Sequence, residues 1–194
     1  MIKLFIADVS GLDIGSRIAE VSDYRREKIE KLPSIEAKQQ SLGAELLLNA
    51  AVPDHPQYCI AEGGKPCFEG DFPCFSLSHS GKYALCAIAD AELGADIEAP
   101  RKNSLRLAKR FFTESEFDAV SRSQNPDDEF CRIWVIKESY IKATGEGLSC
   151  PLNSFEASDT IGEYRTWHGE FDGYHIALCT KGDLAEFEIN RYTL

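Results

Sequence analysis

The stretch FCRIWVIKESYIKATGEGL, from Phe130 to Leu148, constrains the fold more than any other because two faces of one helix can be read from it. Ile133, Ile136, Tyr140 and Ile141 recur at helical spacing and form an apolar stripe that must be buried, which predicts a helix laid against a sheet. Trp134, Glu138 and Lys142 are spaced four apart, so their side chains lie one above another on a different face, toward a cleft or toward water. Gly145 then ends the helix as a left-handed cap. On spacing alone, Glu138 and Lys142 also fit an ordinary surface ion pair, worth about 0.3 to 0.5 kcal/mol.

Two upstream segments give this helix a context. In GADIEAPR, from Gly94 to Arg101, a strand over Leu93 to Glu98 turns Asp96 and Glu98 to one side and Ile97 into the core. Neighbouring carboxylates repel each other unless a cation lies between them. As hard oxygen donors with no adjacent His or Cys, they favour Mg²⁺ or Mn²⁺ over zinc, although the same pattern occurs on solvated strand edges. In FSLSHSGKYALCAIA, strands over Phe75 to Ser78 and Tyr83 to Ala89 flank the polar turn His79 to Lys82. Small hydroxyls, a glycine and exposed N–H groups there suit the approach of a phosphate, with His79 and Lys82 adding charge. His79 equally fits a structural residue at a strand end.

Elsewhere the pattern predicts helices from Ser16 to Lys31 and from Ser34 to Ala51, separated by Pro33. A short strand follows over Tyr58 to Ala61. Thr113 and Glu116 form a capping box opening a helix toward Ser121, and Asn125-Pro126 turns the chain into the long helix. Alternation at Ser154 to Ala157, Tyr164 to His168, Tyr174 to Thr180 and Ala185 to Tyr192 predicts antiparallel strands. With 194 residues, 43% of them hydrophobic, the chain can build one domain or two small halves. The strand-helix-strand order occurs twice and places the boundary near Glu98 to Lys102, giving 1–98 and 99–194. No internal sequence repeat is evident.

Composition narrows the setting. The seven cysteines are scattered and contain no Cys-x-x-Cys pair, which argues against a disulfide framework or zinc ribbon and for a reducing, cytoplasmic location. The opening MIKLFIADVS alternates as a strand does rather than forming a secretion signal, and no apolar run approaches a membrane span. A formal charge of -11 disfavours nucleic acid and anionic membranes as partners. RKNSLRLAKR runs against that balance: Arg101, Lys102, Arg106, Lys109 and Arg110 follow the acidic pair with no acidic residue among them, as a solvated helix face or as a docking patch.

The order SLSHSGK, GADIE, RFFTESEF, WVIKESYIKATGEGLS resembles the 4′-phosphopantetheinyl transferases of the surfactin-synthetase-activating (Sfp) type. The KES form of the last motif is similar to the branch that serves peptide and polyketide synthases as well as simple, fatty-acid-type carrier proteins. GGKPCF, from Gly63 to Phe68, and RREKIEKL, from Arg25 to Leu32, look like the family's upstream motifs. The resemblance implies an α+β fold of two similar subdomains related by a pseudo-twofold axis, a monomer with coenzyme A in the cleft. It implies transfer of the phosphopantetheine arm of coenzyme A onto a serine of an apo acyl, peptidyl or aryl carrier protein, releasing adenosine 3′,5′-bisphosphate.

Carried over residue by residue, the resemblance makes Asp96, Glu98 and Glu138 the Mg²⁺ ligands, with Glu138 also able to take the hydroxyl proton. It sets Lys142 on the pyrophosphate, Ser78 and His79 along the coenzyme pocket, and Arg25, Lys28 and Lys65 around the 3′-phosphate and adenine. Where the family often has an Arg-Thr pair, this chain reads Gln39, Gln40, Ser41, so Gln40 is left as an amide donor to a phosphate. Carrier proteins of this kind are acidic, so the basic run from Arg101 to Arg110 would steer them. The competing readings are a non-catalytic module of the same fold that holds coenzyme A or a carrier protein, and another Mg²⁺-dependent phosphotransfer enzyme. No GxxxxGK[ST] or kinase motif set supports the latter.

Overall fold

The computed structural model describes residues 1–194, the side chain of Leu148 excepted. The chain runs through β1 (Ile2–Asp8), α1 (Ile14–Arg17), α2 (Asp23–Glu30), α3 (Ile35–Ala51), β2 (Cys59–Ile60), β3 (Pro66–Cys67), β4 (Cys74–Ser80) and β5 (Tyr83–Ala89). It continues through β6 (Leu93–Glu98), α4 (Leu105–Phe111), α5 (Glu114–Arg122), α6 (Pro126–Thr144), β7 (Thr160–Ile161), β8 (Tyr164–Phe171), β9 (Tyr174–Thr180) and β10 (Phe187–Tyr192). Two four-stranded sheets result, ordered β10-β1-β5-β4 and β6-β9-β8-β7. Within β1-β5-β4 and β6-β9-β8 every pairing is antiparallel, and in each the first strand is followed by helices and then a hairpin. The α+β architecture therefore repeats itself in topology without repeating in sequence.

Strand alternation assigns the layers. Leu4, Ile6, Leu85 and Ala87 on one sheet meet Leu93, Ala95, Ile97, Ile176 and Leu178 on the other in the central apolar cluster, so the sheets pack face to face. The alternate residues Ala84 and Cys86 face outward and are covered by Ala44, Leu47 and Leu48 of α3. On the far side Val135 and Ile136 of α6 cover Ala177, and Ala143 covers Cys179. Gly94 permits that contact, since a Cβ there would lie 2.0 Å from the Ser139 carbonyl oxygen.

Several sequence-based expectations change. The single helix expected from Ser16 to Lys31 is broken at Val21, which is buried, and restarts where the Ser22 hydroxyl accepts the Arg25 N–H at 3.2 Å. The expected strand at Ser154 to Ala157 does not form, because side chains take its backbone groups: Lys137 Nζ takes the Phe155 carbonyl and Glu116 takes the Ala157 N–H at 2.7 Å. The last strand pairs with β1 in parallel, not antiparallel, so the two halves exchange strands across the expected boundary. The first sheet includes β10, and β6, which the boundary at residue 98 assigned to the first half, belongs to the second sheet.

The long helix is buried on more of its circumference than one stripe requires. Phe130 and Ile133 pack against Ala108, Phe112 and Val120 of the α4–α5 pair, while Val135 and Ile136 face the sheet. Lys137 is fully buried between them. Its ammonium donates to Glu116 Oε2 at 2.9 Å and to the Leu152 carbonyl at 2.7 Å, and it lies 4.4 Å from the Phe155 ring centroid. Burial lowers its pKa, opposed by the Glu116 carboxylate. Glu116 in turn accepts the Thr113 N–H of the capping box. One ion pair thus ties α5, α6 and the loop ahead of β7. Lys137→Ala is expected to destabilise the fold by about 3 to 5 kcal/mol because Glu116 is left buried and unpaired. Denaturant unfolding checks this, and a variant replacing both Lys137 and Glu116 with apolar residues should lose much less.

Candidate active site

The two sheets meet along the edges β4 and β6, and serine side chains do the work of a backbone ladder there. Ser76 Oγ accepts the Ala95 N–H at 3.0 Å, Ser78 Oγ the Ile97 N–H at 3.4 Å, and Ser80 Oγ the Ala99 N–H at 3.0 Å. With the period of 2 along a strand, SxSxS presents all three hydroxyls to one side. Ser78 donates to Asp96 Oδ1 at 2.6 Å and Ser80 to Glu98 Oε2 at 2.9 Å, so the seam also aims both carboxylates.

Lys142, one turn along α6 from Glu138, reaches across to the same point. Its ammonium donates to Asp96 Oδ1 at 2.6 Å, Ser78 Oγ at 3.0 Å and the Ala95 carbonyl at 3.3 Å. Glu138 and Lys142 are therefore not an isolated surface pair. Arg101 donates to Glu98 Oε1 at 3.1 Å, and its guanidinium lies 5.7 Å from the Trp134 ring centroid, so this cation belongs to the site. Asp96 Oδ2 is buried with no hydrogen-bond partner among the described residues. Burial, then the Asp96 and Glu98 charges, push the Glu138 carboxyl up to about 7, and burial followed by Asp96 raises Glu98 as well. An orphaned Asp96 oxygen beside two carboxyls that its charge helps to raise is the electrostatic signature of a cation site, and hard oxygen donors suit Mg²⁺.

Beside these groups lies a cavity of about 280 Å³ lined by Phe75, Leu77, Ile141, Glu138, Lys142 and the hairpin tip from Gly63 to Pro66. Gly145, with φ at 76°, caps α6 as the sequence predicts, and its carbonyl oxygen would lie 1.6 Å from a Cβ on Gly63. The hairpin tip therefore closes directly over the helix end.

Four of the expected coenzyme ligands are engaged within the protein. Arg25 is 6% exposed and bonds Glu45 Oε2 at 2.8 Å and Ser41 Oγ at 3.3 Å, so it serves the α2–α3 contact rather than an open phosphate pocket. Gln40 donates its amide to the Gly81 carbonyl at 2.7 Å. Lys65 donates to the carbonyls of Leu93 and Ala143 at 3.1 and 2.8 Å, closing the C-terminal end of α6. Ser78 is buried in the seam, held by Asp96. Lys28 and His79 remain exposed. Desolvation, then the charges of Lys142, Lys28 and Arg25, hold the His79 imidazole down to about 4, so its ring is neutral at physiological pH.

A second cluster went unread in the sequence. Asp128, Glu170 and His175 bring ligand atoms within 4.8 Å of one another, the only such group among the described residues. Asp96, Glu98 and Glu138 are more widely spread, with Asp96 held by Lys142 and Glu98 by Ser80 and Arg101. In the second cluster His175 has both ring nitrogens occupied, by His168 at 2.9 Å and Asp128 at 3.1 Å. No spacing signal marks residues brought together from α6, β8 and β9. Ser76, Ser78 and Ser80, by contrast, alternate along β4, which runs two residues beyond the expected end at Ser78, and they mark the seam.

Glu138 makes the site sensitive to pH. With a folded pKa of about 7 against an ordinary 4.5, its contribution to stability is fully present below about 4.5 and is lost as pH rises through 7. The cation-free protein should therefore melt lower at about pH 8 than at about pH 5. Glu138→Gln should flatten that dependence and raise stability at the higher pH by on the order of 1 to 3 kcal/mol. An equally steep fall in the variant would place the repulsion elsewhere.

Residues 92–190 match the family described as the 4′-phosphopantetheinyl transferase superfamily. Among curated relatives, the 4′-phosphopantetheinyl transferase Sfp of Bacillus subtilis (strain 168) is 35% identical over 146 residues, 70% of this chain and 65% of that protein. The 4′-phosphopantetheinyl transferase gsp of Aneurinibacillus migulanus is 42% identical over 96 residues, 48% of this chain and 40% of its own length. The L-aminoadipate-semialdehyde dehydrogenase-phosphopantetheinyl transferase of Xenopus laevis is 41% identical over 111 residues, 48% of this chain and 36% of that protein. The chain thus spans just under two thirds of the Sfp relative, in an alignment of 65% of its length. The family match covers β6, α6 and β9 entire, the elements that carry Asp96, Glu98, Glu138 and Lys142, and with more than half of its residues inside that match the chain belongs to the 4′-phosphopantetheinyl transferase superfamily.

Proposed function

We propose that this chain transfers the 4′-phosphopantetheine group of coenzyme A to a serine of an apo carrier protein, releasing adenosine 3′,5′-bisphosphate. The observation that carries the reading is the buried, partnerless Asp96 Oδ2 beside Glu98 and Glu138, with Lys142 at its edge. Those three carboxylates fit Mg²⁺, with Mn²⁺ as the alternative ion, and the ion would supply Lewis-acid masking of the phosphate charge. Lys142 has 29% of its side chain exposed and can exchange Asp96 for the pyrophosphate, where it opposes the charge that develops on the leaving phosphate. Glu138, with its carboxyl raised to about 7, would accept the proton of the attacking serine hydroxyl. Arg101 and Ser80 hold Glu98, and Ser78 holds Asp96, so the acids stay aimed as substrate enters.

Both walls of the cleft come from one chain, which supports action as a monomer. Lys28 and His79 are the exposed groups that suit the 3′-phosphate. Lys102, Arg106, Lys109 and Arg110 are exposed next to the acidic site and suit an acidic carrier protein approaching it. The seven free thiols suit a reducing, cytoplasmic setting. A binding module without turnover has less support, because all three acids and Lys142 are present and connected.

Incubation with Mg²⁺, coenzyme A and an apo carrier protein should add the mass of phosphopantetheine to the carrier, and chelation should stop it. Asp96→Ala should reduce turnover roughly a hundredfold or more while the fold survives. An unmodified carrier with the parent protein, or undiminished turnover in the variant, would overturn the proposal.

Lys28 and Arg25 should separate cleanly. Lys28→Ala is expected to raise KM for coenzyme A and narrow its advantage over 3′-dephospho-coenzyme A, with little change in turnover at saturation. Arg25→Ala should instead destabilise the fold by about 3 to 5 kcal/mol, because it strands Glu45. Steady-state kinetics with the two coenzymes and denaturant unfolding distinguish these roles.

A further inference from the structure

The hairpin of β2 and β3 has two residues in each strand, and its tip is held by the Ala61 N–H to Lys65 carbonyl bond at 2.9 Å and the Gly64 N–H to Ala61 carbonyl bond at 2.8 Å. It forms one wall of the cavity beside Glu138 and Lys142 and presses on the end of α6. A two-stranded ribbon of this size is marginal by itself, so this wall depends on what ties its base. At that base Cys59 and Cys67 are direct cross-strand partners, with sulfurs 3.2 Å apart. Directly opposed antiparallel residues have Cα atoms about 4.5 to 5.5 Å apart, inside the range of about 4.4 to 6.8 Å that a disulfide spans. Both thiols are half-buried and within reach of a small oxidant, whereas Cys86, Cys131 and Cys179 are buried.

We propose that Cys59 and Cys67 form a modification site, a dithiol that a hydroperoxide oxidises to an intramolecular disulfide at the base of the hairpin. One thiolate attacks the peroxide oxygen, the O–O bond breaks, and a sulfenic acid forms as the peroxide leaves as water or alcohol. The second thiol displaces the sulfenic hydroxyl, which departs with its proton as water, and the S–S bond forms. Two thiols lose two hydrogens and two electrons, and the hydroperoxide takes them up. The 3.2 Å contact favours this closure over further oxidation of the sulfenic acid. The disulfide fixes the register Cys59↔Cys67 and Ile60↔Pro66, and so holds the Gly63 to Pro66 wall in place. Its effect on coenzyme A, which rests on the proposed transferase function, is a pre-ordered wall and a lower cost of binding.

The test treats the full chain with hydrogen peroxide, digests it without reduction and maps linkages by mass spectrometry. The expected product is two hydrogens lighter, links Cys59 to Cys67 and reverts with a dithiol reductant. Amide exchange at residues 60 to 65 should slow at least tenfold on oxidation, and Cys59→Ser should abolish both changes. Linkage of either cysteine to another, sulfinic acid at Cys67 in the parent protein, or unchanged exchange in the linked form would overturn the proposal. Calorimetry with coenzyme A on both redox forms reads the consequence separately. No binding in either form would remove the transferase reading while leaving the linkage and exchange results to decide the dithiol.

Discussion

Everything at the centre of this molecule depends on two sheet edges joined by hydroxyl groups. A sheet edge buried in a protein interior leaves N–H groups that must be paired, and β6 meets that requirement through Ser76, Ser78 and Ser80 of β4. A hydroxyl both accepts and donates, so Ser78 and Ser80 can pass the same contact on to a carboxylate. A continuous backbone ladder would have joined the sheets as firmly but would have carried no acid. The seam and the acidic site are thus one construction. Loss of either hydroxyl would strand a backbone donor and release a carboxylate at once.

The same kinds of charged side chain play opposite parts according to where they end. Lys137 and Arg25 are closed off with Glu116 and Glu45 inside the fold, where each pair also satisfies backbone or hydroxyl partners. Lys142 and Arg101 are themselves partly exposed, and the acids around them, Asp96, Glu98 and Glu138, outnumber them. Negative charge left over in a concave, half-desolvated place holds Glu138 near neutrality and leaves an Asp96 oxygen unpaired. Balanced pairs make architecture here, and the unbalanced group has the means to attract a cation.

Local pattern carried much of this. The faces of α6, its Gly145 cap, the capping box at Thr113 and Glu116, and the common direction of Asp96 and Glu98 all follow from periods of 3.6 and 2 within a few residues. Partners were not visible. Arg25, Gln40 and Lys65 read as phosphate ligands because each is a donor in a matching motif, yet Glu45, the Gly81 carbonyl and the Ala143 carbonyl reach them first. Lys137 read as one residue of a motif, and only the approach of α5 shows why a lysine can be wholly interior. The parallel pairing of β10 is likewise a fact of topology, since alternation along a strand does not tell which neighbour it will have.

The return of β10 to β1 also bears on the order of assembly. Ile2 pairs with Phe187, so the outer edge of β1 stays open while most of the chain is being made. During synthesis the first helices and the β4–β5 hairpin have emerged long before the strand that covers that edge. Pairing across so large a separation is slow, and an uncovered apolar edge is the kind of surface that recruits other chains. A nascent chain stalled before residue 187 would thus present Leu4 and Ile6 beside an unguarded rim, which makes this interval the one in which a chaperone has most to shield.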